Sequence, residues 1–407
     1  MRRAFWMEVR RSPLRWWLPV LVALDVAMLF GRSTWWIGVW PEASAAAQVP
    51  AQFFGMILGG GAAWVAGRTR RTSMTEQFAV SVRRRWRIEL LMLASTVCYG
   101  FAAYTPGLVL AAVVSFPEAG PGFLWPSYLL LGACLILLSA SVGHLAGKLF
   151  ASRIVPPLAT AVILFGLQMN GLVSFFVLSG HANLEVSASA LVLRLSFALF
   201  AAALAVVLPS GRPVVQLSAA LTGVLLLTVV ASSGPVQVPR TATEQPLCSS
   251  GAPKVCVWPE DRKHLDSVRA MVTRLLSLPG GVVRFPDAVY QEGLRARDQQ
   301  GVGNGFQFLA GDMSVPMYLS GVVLDHTLPD CDIPARNKAR YYHEVFSLDA
   351  YFQVRAYGDT RALGDGGGPP GVDMKAIVRV AGLPVENQAA WVRERMAAIR
   401  GLGVCHG

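Results

Sequence analysis

The 407-residue sequence contains one partial match to a zinc-peptidase motif. His343 and Glu344 stand where such a helix begins, but the second histidine, required one turn later, is replaced by Ser347. The segment Gly143–Gly147 resembles a phosphate-binding loop, yet it has one residue too few between its glycines. The sequence therefore predicts neither a zinc peptidase nor a nucleotide-hydrolysing site on this chain.

Four acidic and imidazole side chains lie close together further along the chain: Asp325, His326, Asp330 and Asp332. Carboxylates beside an imidazole can form an acid–base pair or hold a metal ion. The same residues also fit a polar turn that ends a helix before Pro329, and we prefer this simpler interpretation. We predict that the chain is not an enzyme and uses no metal or other cofactor.

Four of the six cysteines fall in the C-terminal part of the chain: Cys248, Cys256, Cys331 and Cys405. An even number in a segment outside the cytoplasm favours disulfides, and zinc is disfavoured because the usual Cys-x-x-Cys spacing is missing. Counting alone allows three pairings. We choose Cys248 with Cys256, which closes a short loop, and Cys331 with Cys405, which ties the chain end to the domain.

Other polar residues lie within long apolar stretches of the sequence. Asp25 and Arg194 are ionisable, and such groups inside a membrane mark either a substrate path or a pairing within the helix bundle. Both interpretations remain open. Gln168 and Asn170 are suited to hydrogen bonds between helices. Glu89 lies near enough to the end of its apolar stretch to be solvated.

Membrane helices must position these side chains, because 53% of the residues are hydrophobic and only 15% are charged. A span needs about 20 mostly apolar residues. Seven stretches qualify: 14–31, 50–67, 88–114, 124–147, 154–178, 188–208 and 213–231. We expect the third to be interrupted at Tyr104–Gly107.

The predicted fold class is a membrane all-α bundle of about seven transmembrane helices followed by a small α+β extracytoplasmic domain. The bundle occupies residues 1–231, a polar linker 232–247, and the disulfide-containing domain 248–407. In the last of these, a strand is expected at 254–258. Helices are expected at 259–278, 309–325, 337–354 and 385–400.

The distribution of charge sets the orientation of the spans. Residues 1–231 carry a net charge of +10, whereas residues 232–407 carry +1. Fifteen Lys and Arg residues occupy the N-terminus and alternate loops, and the intervening loops hold only Arg32. Because basic loops stay in the cytoplasm, the N-terminus is predicted inside a bacterial cell membrane and the C-terminal domain outside. The same pattern argues against nucleic-acid binding.

The first span has an alternative interpretation as a cleaved signal peptide. The small residues 43–47 would then supply the cleavage site. They lie about a dozen residues beyond the apolar core, which is too far for the usual geometry. Cleavage would not invert the remaining spans.

A basic cytoplasmic segment follows the second span. Thr72 or Ser73 followed by Glu76 forms a capping box, and a partly apolar stretch leads into the arginines. A short surface helix of this kind is suited to docking a soluble partner, although a positive-inside anchor without a partner is the alternative. The residues assigned to docking are Thr72, Ser73, Glu76, Phe78, Arg83, Arg84 and Arg85.

This layout resembles that of ABC-2-type transporter permeases over roughly residues 1–210. The shared features are a basic N-terminus, a first pair of spans, the capped segment 72–87 in the place of the coupling helix, and a short second cytoplasmic loop near 148–153. The segment Val142–Lys148 and the Pro-Leu-Ala opening of the next span are similar to those of actinobacterial permease-like proteins. The strand at Val255–Pro259, Trp391 and Cys405 resemble their exported domain.

The resemblance implies a separate cytoplasmic ATPase as partner and a homo- or heterodimer of membrane subunits in the bilayer. The predicted function is thus a permease-like subunit that moves a hydrophobic or peptide-like substrate. The alternative is a membrane-anchored extracytoplasmic binding or sensing protein without transport activity.

Overall fold

The computed structural model describes the chain except residues 1, 32, 72–84, 151, 153, 170–174, 209–212, 243–244, 296–304, 310, 364–367 and 407. The chain forms two compact units. The first comprises Met1–Glu118, Gly122–Gly180 and Leu184–Val238. The second comprises Ala119–Pro121, His181–Asn183 and Pro239–Gly407. We call them the membrane unit and the C-terminal unit.

The membrane unit is built from helices and one short pair of strands. Its helices are α1 (Arg2–Arg11), α2 (Leu14–Gly31), α3 (Trp40–Gln48), α4 (Pro50–Arg71), α5 (Arg85–Ser115), α6 (Pro126–Leu149), α7 (Val155–Met169), α8 (Ala188–Val207) and α9 (Pro213–Ser232). Strand β1 (Leu184–Val186) pairs with β2 (Gln237–Pro239). Strand β2 falls inside the stretch 232–247, which was predicted to be a polar linker.

Five helical stretches in the described part of the chain are long and apolar enough to cross a membrane. They are Leu14–Gly31, Trp40–Arg68, Trp86–Ser115, Pro126–Leu149 and Ala188–Val207. The expected count of seven is therefore not reached. The predicted span 154–178 was drawn too long, because α7 has 15 residues and the chain from 175 to 183 is not helical. Within α9, the described apolar stretch Gln216–Ser232 is also short.

The predicted interruption of the third span was wrong. Helix α5 runs without a break from Arg85 to Ser115, with Pro106 inside it. A proline lacks the N–H that would bond one turn back, and membrane helices tolerate this loss when nearby groups take up the freed backbone. The carbonyl that loses its usual donor here is that of Ala102, and the hydroxyl of Thr105 donates to the neighbouring carbonyl of Phe101 at 2.7 Å.

Helices α4 and α6 pack with their backbones in contact. A Cβ atom added at Gly143 would overlap the carbonyl of Gly59, and one added at Gly147 would overlap the carbonyl of Ala63. Small residues four positions apart on both helices therefore create the interface. This is the usual way for membrane helices to associate, since lipid gives them no hydrophobic driving force.

The C-terminal unit combines a four-stranded sheet with helices. The sheet has the order β3 (Leu247–Cys248), β4 (Lys254–Val257), β5 (Ala288–Gln291) and β6 (Gly305–Phe306). Strand β3 is antiparallel to β4, and β4, β5 and β6 are parallel. The helices are α10 (Leu265–Leu276), α11 (Val315–Thr327), α12 (Lys338–Tyr357), α13 (Met374–Ala381) and α14 (Val385–Arg400).

The core of this unit follows from helical periodicity. Val268, Met271, Val272 and Leu275 recur at a spacing of three or four residues, so that α10 is apolar on one face, and all four are buried. They belong to one cluster with residues of β4 and with Leu348, Tyr351 and Phe352 of α12. Burial of these large side chains is what stabilises a unit folded in water.

Both disulfides join residues that stand directly opposite each other on antiparallel strands. Cys248 of β3 is bonded to Cys256 of β4. Cys331 of β7 (Asp330–Asp332) is bonded to Cys405 of β8 (Val404–His406). This is the pairing that we chose from the sequence among the three possible ones.

Candidate functional site

Asp25 lies on the buried face of α2. Leu21 and Leu29, one turn before and one turn after it, are also buried, so the helix directs all three side chains into the bundle. Asp25 is fully inaccessible to solvent. It stands eleven residues after the start of α2, about 16 Å along the axis, which is roughly half of the ~30 Å hydrocarbon core.

Helix α5 provides the surroundings of Asp25. The carboxylate occupies the place that a Cβ atom would take at Gly107, so only glycine at this position leaves room for it. Tyr104, one turn earlier on α5, is buried too and packs near Phe54 of α4 with ring centroids 6.4 Å apart. Among the described residues, neither oxygen of Asp25 nor the hydroxyl of Tyr104 has a hydrogen-bond partner of good geometry.

A second group of buried ionisable residues joins α5 and α6. The Nε2 atom of His144 lies 2.9 Å from Oε2 of Glu89, and Nζ of Lys148 lies 3.7 Å from the same oxygen. Lys148 also donates to the carbonyl of Ala205 in α8 at 2.8 Å. The three side chains thus tie α5, α6 and α8 together through one carboxylate.

The expectation that Glu89 is solvated was wrong, since only 6% of its surface is exposed. His144 and Lys148 are four residues apart, so they share one face of α6, and this spacing was visible in the sequence. What the sequence did not reveal is that this face meets Glu89. The pairing is structural, because each charge meets an opposite charge or a backbone carbonyl.

Arg194 is buried near the beginning of α8. Its guanidinium donates to the carbonyl of Ala190 at 3.0 Å and to the hydroxyl of Ser233 at 3.4 Å. It also lies 6.0 Å from the ring centre of Phe175. These contacts support the structural interpretation of Arg194, in which it holds α8 against the end of α9.

An apolar groove of about 510 Å³ opens in the membrane unit. The end of α2, the beginning of α4 and two residues of the segment after α7 line it: Ala27, Met28, Gly31, Val49, Gln52, Phe53, Phe176 and Leu178. Gln52 is the polar member of this set. It is 4% exposed, and in the described part of the chain its Oε1 atom finds no hydrogen-bond donor.

Hydrogen bonds to α3 fix the segment that borders the groove. The side-chain oxygen of Gln48 accepts the N–H of Val177 at 2.9 Å. The carboxylate of Glu42 accepts the Ser179 hydroxyl at 2.7 Å and the N–H of Gly180 at 3.0 Å. The groove therefore has a wall of defined conformation, although this wall is not helical.

Several residues assigned from the sequence lie outside the described residues. They are Thr72, Ser73, Glu76, Phe78, Arg83, Arg84 and Asn170. The backbone of Arg85 begins α5 and that of Gln168 lies in α7, but their side chains are not described. The docking role and the hydrogen bonds between helices therefore stay predictions.

The acid–base candidates of the C-terminal unit do not form a site. Nδ1 of His326 lies 2.9 Å from the carbonyl of Val322 in its own helix, as expected for a helix end. Asp332 pairs with His406 at 3.2 Å on an exposed surface. No group of three His, Cys, Asp or Glu side chains in the described ranges is placed to hold a metal ion.

His264 immediately precedes α10 and is partly buried. Its ring packs on Phe308 with centroids 4.8 Å apart. Burial, aided by the neighbouring charge of Lys263, lowers the pKa of His264 to about 4, and Asp312 opposes the shift. The imidazole is therefore neutral at physiological pH, and it acts as a flat packing group rather than as an acid or base.

The comparisons with known proteins add no assignment. The chain matches no protein-family model, no curated protein and no solved structure. Function must therefore be argued from the groove, the buried carboxylates and the arrangement of the helices.

Proposed function

We propose that the chain is a permease-like membrane subunit that moves a hydrophobic substrate and works with a separate cytoplasmic ATPase. The groove between α2 and α4 is the observation that carries this proposal. Its volume of about 510 Å³ falls within the range of roughly 300–1,000 Å³ that small-molecule sites occupy.

The lining of the groove supports one class of substrate. Apolar side chains favour an alkyl or aromatic body. The Oε1 atom of Gln52, which has no donor among the described residues, favours one hydrogen-bond donor such as a hydroxyl or an amide. A peptide with a charged backbone terminus would leave its charge unpaired against these walls. We therefore favour a hydrophobic, lipid-like molecule over a peptide.

We assign the energy for movement to a separate ATPase, since the sequence itself has no complete phosphate-binding loop. Segment 72–87 is the proposed docking site. An ion pair of 2.8 Å between Arg68 of α4 and Glu8 of α1 supports this assignment. It ties the basic N-terminal helix to the end of the helix that leads into the segment, so that a docked partner would act on both.

We propose that the N-terminus is cytoplasmic and that the C-terminal unit is extracytoplasmic. The basic loops support this orientation, and the two disulfides fit an oxidising compartment. Because β1 before α8 pairs with β2 after α9, these two helices must cross together. With α7 and α9 added to the five long helices, the proposed count is seven, an odd number that puts the C-terminal unit on the side opposite the N-terminus.

Co-purification tests the partner. A tagged chain extracted from its native membrane should bring an ABC-type ATPase with it. Replacement of Arg83, Arg84 and Arg85 by alanine should remove the ATPase, whereas replacement of Arg2, Arg3 and Arg11, which loses the same charge, should retain it. Purification without any ATPase would contradict the proposal, and so would equal loss in both variants.

Photolabelling tests the groove. A fatty acid that carries a diazirine should label residues of α2 and α4, and Ala27→Trp should reduce this labelling by filling the groove. Ala102→Trp is the matched control, because Ala102 is another exposed alanine on a membrane helix. Equal labelling of the two variants would refute the groove. Binding of an envelope ligand without an ATPase partner would favour the membrane-anchored binding protein instead.

A further inference from the structure

The carboxyl group of Asp25 presents an energetic problem. It is fully buried in a bundle of apolar helices. The backbone of Gly107 lies close to it, but among the described residues neither oxygen has a hydrogen-bond partner of good geometry. An ionised carboxylate in such surroundings costs several kcal/mol or more unless a counter-charge is present. By contrast, the buried carboxylate of Glu89 has His144 at 2.9 Å and Lys148 at 3.7 Å.

The charged groups on the neighbouring helices do not solve this problem. Helices α1, α4 and α5 pack against α2. Glu8 of α1 and Arg68 of α4 pair with each other. On α5, Glu89 lies fifteen residues before Tyr104, about 22 Å along the axis, and is already paired.

Two further titratable side chains on α5 do not interact with Asp25 either. Tyr99 donates its hydroxyl to the carbonyl of Val9, and Cys98 is exposed. Tyr104 interacts electrostatically with Asp25, but a phenol is uncharged and supplies no counter-charge. No described cation therefore balances a negative charge on Asp25.

A metal ion does not fit the position either. Hard cations such as Ca²⁺ or Mg²⁺ take six or more oxygen ligands. The described residues supply one carboxylate and one phenol, and the Cα of Gly107 closes the remaining side. A proton is the cation that needs no further ligands and no additional space.

We propose that Asp25 is a proton-binding site inside the membrane unit, neutral when loaded and able to exchange its proton with the surrounding solution. The loaded carboxyl carries no net charge, so its burial among apolar helices costs far less than burial of the carboxylate. Gly107 is the positioning residue, because any side chain there would displace the carboxyl from this place. The inference goes beyond the proposed transport and does not depend on the groove or on an ATPase.

Reaction with dicyclohexylcarbodiimide tests this proposal on the full chain in its membrane. The reagent partitions into apolar regions and reacts with a carboxyl that holds its proton. The carboxyl oxygen adds to the central carbon of the reagent, its proton moves to a reagent nitrogen, and acyl migration leaves a stable N-acylurea. Trypsin then releases peptide 16–32, in which Asp25 is the single carboxylic side chain, so mass spectrometry reads its modification directly.

The expected result is an adduct on peptide 16–32 that is abundant at low pH. Across a series from about pH 5 to about pH 9, its initial rate should fall about tenfold per pH unit once the proton is released. Asp25→Asn should abolish the adduct, and Glu89→Gln, which removes the paired carboxylate, should leave it. The wild-type titration carries the test by itself if the Asp25 variant fails to fold.

Two results would overturn the proposal. One is the lack of an adduct on peptide 16–32 at every pH, with the paired Glu89 or the exposed Glu118 labelled instead. The other is an adduct whose rate does not change with pH, which would make Asp25 a permanently neutral structural residue. Because the measurement needs no transport, its failure leaves the co-purification and photolabelling tests unaffected.

Discussion

Helices meet in opposite ways in the two units. In the membrane unit, α4 and α6 touch through Gly59, Ala63, Gly143 and Gly147, so that backbone lies on backbone. In the C-terminal unit, α10 and α12 meet through large side chains such as those in the cluster around Phe352. Water rewards the burial of large apolar groups, whereas lipid does not, and close van der Waals contact must replace it. The surrounding solvent therefore decides which residues make a helix contact.

The largest effect is expected from the removal of a core ring in the C-terminal unit. Phe352→Ala should lower the free energy of unfolding by about 3–5 kcal/mol, the sum of lost burial and a new cavity. Phe54→Ala, at a buried position of α4, should lower the free energy of unfolding by less, because lipid already surrounds this side chain with apolar groups when the helices separate. Thermal unfolding of the two variants in detergent, followed by separate probes of each unit, measures the difference. Equal losses would contradict the comparison.

The two disulfides sharpen the comparison within the C-terminal unit. Cys331 and Cys405 are 74 residues apart, and Cys248 and Cys256 only 8. The loop-entropy relation then gives about 4 kcal/mol of stabilisation for the first bond and about 2.5 kcal/mol for the second. Paired Cys→Ser variants of each bond, compared by denaturant unfolding, should show this order. The reverse order would mean that chain entropy is not the main contribution.

Glycine substitutions test the backbone contact directly. Gly143→Ala forces its new methyl group into the carbonyl of Gly59 and should cost about 1–3 kcal/mol. Gly166→Ala in α7 is the membrane control, because no atom lies within 4 Å of the added Cβ. Gly321→Ala in α11 is the control in the C-terminal unit, where open space and better helix propensity predict a gain of about 0.5–1 kcal/mol. Destabilisation by either control at the level of Gly143→Ala would weaken the interpretation.

The smallest effect concerns acid stability. The pKa of His264 is about 4 when folded against an ordinary value of 6.5, so the unfolded chain binds the proton more readily between these values. The contribution is complete above about pH 6.5 and is lost as the pH falls towards about 4. His264→Phe, which keeps a ring against Phe308, should flatten this part of the stability profile. An unchanged profile would argue against a buried neutral imidazole.

Local signals in the sequence predicted the features that depend on local chemistry. The apolar stretches predicted the long helices. Helix α14 begins after Pro384 and ends before Gly401, as these two residues indicated. The span 154–178 and the break at Tyr104–Gly107 were misjudged for a common reason. Composition reports how apolar a segment is, but neighbouring helices and hydrogen bonds such as that of Thr105 decide where a helix continues.

The sites were predictable only in part. The energetic cost of a charge in a membrane identified Asp25. Gly107 and Tyr104 lie some eighty residues away, and the sequence marked them only as an expected break in the third span, not as neighbours of Asp25. Glu89 was misread because its partners, His144 and Lys148, come from another helix. The groove was missed altogether, since its lining residues are ordinary apolar ones whose arrangement is a property of the fold.

The bond between Cys331 and Cys405 turns the last part of the chain into a covalent ring. Helices α12, α13 and α14 and the loops between them lie entirely inside this ring. A protease that cuts one of these loops would leave both fragments attached, and electrophoresis would show a single intact band until a reductant is added. Methods that measure molecular size would thus not detect cleavage at one exposed loop. The cleaved unit would stay assembled at the membrane.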